Sequence, residues 1–143
     1  MFSEMDFLPT FAKIIGSSLP ADRPIDGVDQ SDLLLGKSKL GNRESLLSFV
    51  GSDLLAVRWK QWRVYFTDAH PTGSGPQMVG GMFLTHTPLS YPKVFNIEMD
   101  PHEDLNLGGI YTWVWMPALK IVAEYKESLK KYPNPPAGNL TKF

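Results

Sequence analysis

There is no cysteine among the 143 residues. That absence excludes disulfides, thiolate metal sites and a cysteine nucleophile together, and it leaves the redox compartment open. Net charge is nearly absent as well. Fourteen Lys and Arg against 15 Asp and Glu give a formal charge of −1, so no bulk attraction draws the chain to nucleic acid or to anionic membranes. No apolar run approaches the ~18 residues of a membrane-spanning helix. The first ten residues carry Glu4 and Asp6 and no basic start, which is not the pattern of a secretory signal. What remains is globular material, 43% hydrophobic and 20% charged, long enough for one domain with a core.

The stretch DFLPTFAKIIG predicts a short helix, with Phe7, Phe11, Ile14 and Ile15 at helical spacing and Gly16 placed to end it. Pro9 suits its first turn, where the missing N–H costs nothing. SSLPADRPIDG reads as a connection, dense in Ser, Pro, Asp and Gly. DQSDLLLGK predicts a second helical turn, capped by Asp29 or Ser31 and stopped by Gly36.

Strand character follows. RESLLSFVG, SDLLAVRWK and QWRVYFTD are rich in Leu, Val and aromatics, and the last alternates Trp62, Val64 and Phe66 with Arg63 and Tyr65. The steps Gly51-Ser52-Asp53 and Lys60-Gln61 are short enough for hairpins. KVFNIEMDP predicts a fourth strand with Val94 and Ile97 apolar. Between strands three and four, Ala69 to Pro92 contains no Asp, Glu, Lys or Arg, but four glycines, four prolines, His70 and His86. It reads as one long neutral loop, a length that is usually functional or disordered. At the end, Ala118, Val122, Tyr125, Leu129 and Tyr132 share a helix face, and Pro133 closes the helix.

Candidate chemistry is sparse. His70, His86 and His102 have no carboxylate at a ligand-like interval, so the sequence predicts no metal site. DPHEDLN (Asp100–Asn106) is acidic but lacks the alternating ligands and central glycine of a calcium loop, and reads as a solvated turn. Trp59 and Trp62 flank a hairpin turn. They could stack on a sugar or a base, but cross-strand packing is the favoured role, and the same holds for Tyr111, Trp113 and Trp115. NLT (Asn139–Thr141) matches a glycosylation acceptor, which matters only in a secreted eukaryotic chain.

SSLPADR resembles the active-site signature of sulfatases, in which a Cys or Ser is followed at fixed offsets by Pro and Arg. Ser18 and Pro20 fit, but the fifth position is Asp22 and the arginine comes one place late, at Arg23. On a helix that shift turns the guanidinium by ~100°, away from the residue it must reach. The stretch is therefore a connection.

A second resemblance runs through nearly the whole chain. SEMDFLPTFAKIIGSSLPADRPIDGVDQSDLLLGK resembles the segment that follows the last catalytic residues of arylsulfatases. RESLLSFVGSDLLAVRWKQWRVYF resembles their C-terminal hairpin, VFNIEMDPHEDLNL their Asp-Pro-x-Glu-x-x-Asn-Leu signature, and ESLKKYPNPPAG the end of their last helix. Four such pieces occur in the family's order. The resemblance implies the C-terminal quarter or so of an arylsulfatase. The parent would hydrolyse sulfate esters with a formylglycine nucleophile and calcium, and the residues for both would lie upstream of the position matching Phe2.

The expected fold is α+β: a four-stranded antiparallel sheet over residues 45 to 98, packed on a helix near 117 to 131. Residues 1–40 would be the tail end of an α/β catalytic domain that is missing here, and 41–143 the C-terminal subdomain. The expectation includes no catalytic and no metal-ligating residue in this chain, with His86, ahead of His70, at the substrate entrance. The expected partners are the missing N-terminal catalytic domain and, for the parent, a sulfate ester, with no nucleic acid and no membrane span. The alternative is a free-standing carbohydrate-binding or interaction module.

Overall fold

The computed structural model describes residues 1–51, 53–71 and 84–133. The chain divides into two compact units, Met1–Ser45 and Leu46–Phe143.

In the first unit a 3-10 turn, Glu4–Asp6, runs directly into helix α1, Phe7–Ile15. Gly16 ends α1 as the sequence predicts: it adopts φ 72°, and the Ser17 N–H returns to the Ala12 carbonyl at 2.8 Å. Helix α2 spans Ser31–Leu34, with Asp29 Oδ1 accepting the Ser31 N–H at 2.8 Å and Gly36 at φ 71° just beyond it. α1 buries Pro9, Thr10 and Ala12, whereas Phe7, Phe11, Ile14 and Ile15 are exposed. The interior of this unit is therefore polar: Asp6, Thr10 and Gln30 are fully buried.

The second unit holds the sheet. Strands β1 (Ser45–Val50), β2 (Asp53–Trp59), β3 (Trp62–Pro71) and β4 (Leu84–Asn96) lie in the order β1-β2-β3-β4. β2 and β3 turn through Lys60 and Gln61, which brings Trp59 opposite Trp62. Lys60 takes the left-handed φ of 53° that this tight turn demands. One sheet face packs on α3, Trp115–Lys131, which a 3-10 turn at Thr112–Val114 leads in. The core consists of Val57, Trp62, Val64, Val94, Val114, Ala118 and Val122. Further along α3, Tyr125 is half-buried with its ring 5.3 Å from that of Phe49, and Tyr132 is exposed beyond the helix end. Fold class and architecture match the expectation from sequence.

The neutral loop is shorter than the sequence predicts. β3 continues to Pro71 and β4 starts at Leu84, so both ends of Ala69–Pro92 are strand, and residues 72–83 lie outside those described. The misreading arose from Pro71, Pro88 and Pro92, which read as strand breakers. β4 is an edge strand, where a residue without an N–H is tolerated. The ladder also jumps. Tyr65 pairs with Lys93 and Thr67 with Pro88, so two steps on β3 span five on β4, and Pro92 falls in the bulged stretch. At the other end β4 stops at Asn96, and Ile97 to Met99 form a turn rather than more strand.

Candidate functional site

Polar side chains gather at two places, one in each unit. In the first, the Asp6 carboxylate receives the Ser3 N–H at 2.9 Å, the Val28 N–H at 2.8 Å and the Arg43 Nε at 2.9 Å, with Arg43 Nη2 also in contact. Arg43 Nη2 further donates to the Asp26 carbonyl at 2.8 Å. Gln30 extends the cluster: its N–H goes to Thr10 Oγ1 at 2.9 Å, and its Oε1 accepts the Asn42 N–H at 2.7 Å. Burial pushes the Asp6 carboxyl up, but the Arg43 guanidinium and the Val28 and Ser3 amides outweigh it and hold it well below the usual carboxylate range. A carboxylate so fully supplied with donors is an anchor and not a proton carrier.

The second cluster lies beside the sheet. Glu103 accepts from Arg63 Nη1 at 2.8 Å and from the Tyr65 hydroxyl at 2.6 Å. Its backbone sits at φ 59°, a conformation costly for a bulky residue. Around it, Asp100 Oδ2 accepts the Leu105 N–H at 2.9 Å, and Asn106 Oδ1 accepts from Val94 and Gly108. Burial, and then the hydrogen bond to Glu103, raise the Tyr65 phenol above its ordinary range. The acidic run is thus a clamp that fastens residues 100–108 to β3 and β4. Sequence reasoning placed Glu103 and Asn106 in a family signature without assigning them work. It missed the Asp6–Arg43 pair altogether, because nothing local links residues 37 positions apart.

The predicted site residues are placed by backbone alone. His86 stands opposite Ala69 and His70 opposite Thr85 in the β3–β4 ladder, so the two are not register partners. His102 is exposed in the clamp. The tryptophans pack, as expected: Trp113 meets Trp59 and Trp62 edge-on at 6.2 and 5.8 Å, and Trp62 also lies 5.2 Å from Tyr111. Asn139–Thr141 lie outside the described residues. In the SSLPADR connection, Arg23 donates to its own neighbour Asp22 at 2.7 Å, with both side chains exposed.

Among the described residues, the acidic side chains do not fit a bound calcium. No group of three or more His, Cys, Asp or Glu side chains among the described residues is arranged to hold a metal. The Asp100 and Glu103 carboxylates face N–H and O–H donors instead. Among the described residues, no helix is long and apolar enough to cross a membrane.

The family model for the C-terminal region of aryl-sulfatase matches residues 41–139. Human steryl-sulfatase is 36% identical over 118 residues, which is 71% of this chain and 19% of the steryl-sulfatase. Arylsulfatase G of the rat is 31% identical over 136 residues, 92% of this chain and 23% of that protein. Among solved structures, the PsFucS1 sulfatase from Pseudoalteromonas sp. superposes with a TM-score of 0.79 at 25% identity, covering 93% of this chain and 27% of that one. The chain spans about a fifth of the length of the curated relatives it matches. Its signature clamp, its sheet-and-helix frame and these matches agree: the chain belongs to the sulfatases, in the family of the C-terminal region of aryl-sulfatase.

Proposed function

We propose that this chain is the C-terminal portion of a sulfuric ester hydrolase and that it does no chemistry by itself. The observation that carries this is the extent of the matches, which take in most of the chain but only a fifth to a quarter of each sulfatase. The lack of fitting residues for calcium among those described supports assigning formylglycine and calcium chemistry to the parent, outside this chain. On this reading residues 1–40 complete the catalytic domain and 41–143 form the C-terminal subdomain. The start of the family match at residue 41 supports that division. The β3–β4 ribbon would then reach toward the substrate entrance, with His86 contributing ahead of His70.

Two experiments test the proposal. The purified chain, given calcium and an aryl sulfate, turns over nothing above buffer. A rate that survives repurification and disappears on mutating a residue of this chain overturns the reading. With the chain joined to the catalytic part of a sulfatase, His86→Ala shifts KM or substrate preference. Unchanged kinetics across several sulfate esters remove His86 from the entrance.

A further inference from the structure

Helix α1 turns its largest apolar side chains to solvent: Phe7, Leu8, Phe11, Ile14 and Ile15 are between 43% and 76% exposed. The rings of Phe2, Phe7 and Phe11 form a continuous ladder, with centroids 5.0 and 5.4 Å apart. Lys13 is the single charge along the helix. Leu34 and Leu35 of the same unit are about half exposed as well. A contiguous apolar surface of this kind marks an interaction site more often than a free face.

The helix has no means of hiding that face by turning over. Its other side is fastened by Thr10 Oγ1, which accepts the Gln30 N–H, and the turn before it holds the Asp6 carboxylate against Arg43, Val28 and Ser3. Rotation would leave a buried charge uncompensated. Gly27 tightens the lock, since a Cβ there would stand 2.1 Å from the Met5 carbonyl and 2.8 Å from Pro9. The side of α1 that carries Pro9, Thr10 and Ala12 is committed inward, and the side with the large apolar residues is fixed outward.

We infer that this face is the seat on which the remainder of a sulfatase chain packs, and that its occupant is an uncharged, apolar surface of that remainder. The inference rests on the reading of the preceding subsection and adds which residues make the junction. The second unit holds 98 of the 143 residues, Leu46–Phe143, so a superposition over 93% of the chain must extend into the first unit. Most of the first unit therefore recurs inside a chain roughly three and a half times as long, of which this one matches 27%. The other 73% of such a chain supplies the cover. A second copy of this chain is the competing occupant.

The test joins the part of PsFucS1 upstream of the match to this chain and compares Phe11→Gln/Ile14→Gln in the chimera and in the isolated 143 residues. In the isolated chain the double substitution leaves the thermal midpoint unchanged and reduces binding of a hydrophobic dye. In the chimera it lowers the midpoint and cuts soluble yield several-fold. An equal loss of midpoint in the isolated chain, or an indifferent chimera, overturns the inference. So does a discrete dimer of the isolated chain that the substitutions dissolve. Where the unsubstituted chimera does not accumulate, the isolated chain is mixed with the separately produced upstream part. Slower hydrogen exchange over residues 7–15 then supports the seat, and unchanged exchange sinks it. Sulfate-ester turnover separates the two proposals. A chimera that depends on the face but does not turn over keeps the seat and defeats the functional reading, and turnover with an indifferent face does the reverse.

Discussion

Asn106 stands in for a neighbouring strand beside Val94. Its Oδ1 accepts the Val94 N–H at 3.0 Å, and the following residue, Leu107, donates its N–H to the Val94 carbonyl at 2.7 Å. β4 is an edge, so without this pairing its outer N–H and C=O groups at the buried Val94 would lack partners. The same oxygen takes the Gly108 N–H at 2.9 Å. One side chain thus ends the sheet and starts the path toward α3.

Asn106→Ala removes the acceptor of two backbone donors, one of them at a fully buried residue. It is expected to cost about 1–3 kcal/mol in urea unfolding. Asn106→Asp keeps the acceptor and loses less. Equal losses for the two variants would mean that the side-chain amide, and not Oδ1, does the holding.

Gly108 and Gly109 form an internally controlled pair. A Cβ at Gly108 would stand 2.8 Å from the Pro92 carbonyl and 3.1 Å from Asn106 Oδ1, whereas one at Gly109 meets nothing within 4 Å. Gly108→Ala is therefore expected to destabilise by about 1–3 kcal/mol, and Gly109→Ala to stay within about 0.5 kcal/mol of the parent. Urea midpoints of the two variants check this, and similar midpoints would remove the crowding argument.

The Asp6–Arg43 pair should make the first unit sensitive to acid. Because the folded state holds the Asp6 carboxyl below its ordinary value, the stabilisation is present above about pH 4 and fades as pH falls further. The Val28 N–H, which donates to Asp6, is the local reporter. Its hydrogen-exchange protection should drop as pH goes from about 5 toward 2. In Asp6→Asn that protection should be lower throughout and nearly flat. A steep acid loss that persists in the variant assigns the effect to another group.

Tyr65 supplies the opposite sign. Its phenol is raised by burial and by the Glu103 hydrogen bond, so the folded state favours the protonated form. The associated stability is complete below about pH 10 and declines as pH rises through the folded value. Titration of the phenolate ultraviolet band should show a late component that is absent in Tyr65→Phe and earlier in Glu103→Gln. A Glu103→Gln titration identical to that of the parent would remove the hydrogen bond as a cause.

How much was legible in the sequence differed from element to element, for physical reasons. α1 with its Gly16 stop, the Lys60-Gln61 hairpin and the face of α3 could be read because each is set by residues a turn or less apart. The extended ribbon of β3 and β4 could not, because its prolines mimic loop chemistry and only their position on an edge makes them strand residues. Asp6, Gln30 and Arg43 look like surface residues in the sequence. Their burial depends on pairing across 24 and 37 positions, which carries no periodic signal. The histidines of the ribbon stood out for their neutral surroundings, a cue to position more than to role.

The register jump between Tyr65 and Thr67 divides the long hairpin into two mechanical parts. Below it, Trp62 to Tyr65 pair with Lys93 to Asn96 over the core. Above it, Thr67 to Pro71 pair with Leu84 to Pro88, and the slack of the bulge lies between the two ladders. The pairing over the core and the pairing of the outer ribbon are therefore two separate alignments of the same two strands. The inner pairs thus set the register over the core, and the outer pairs hold a register of their own.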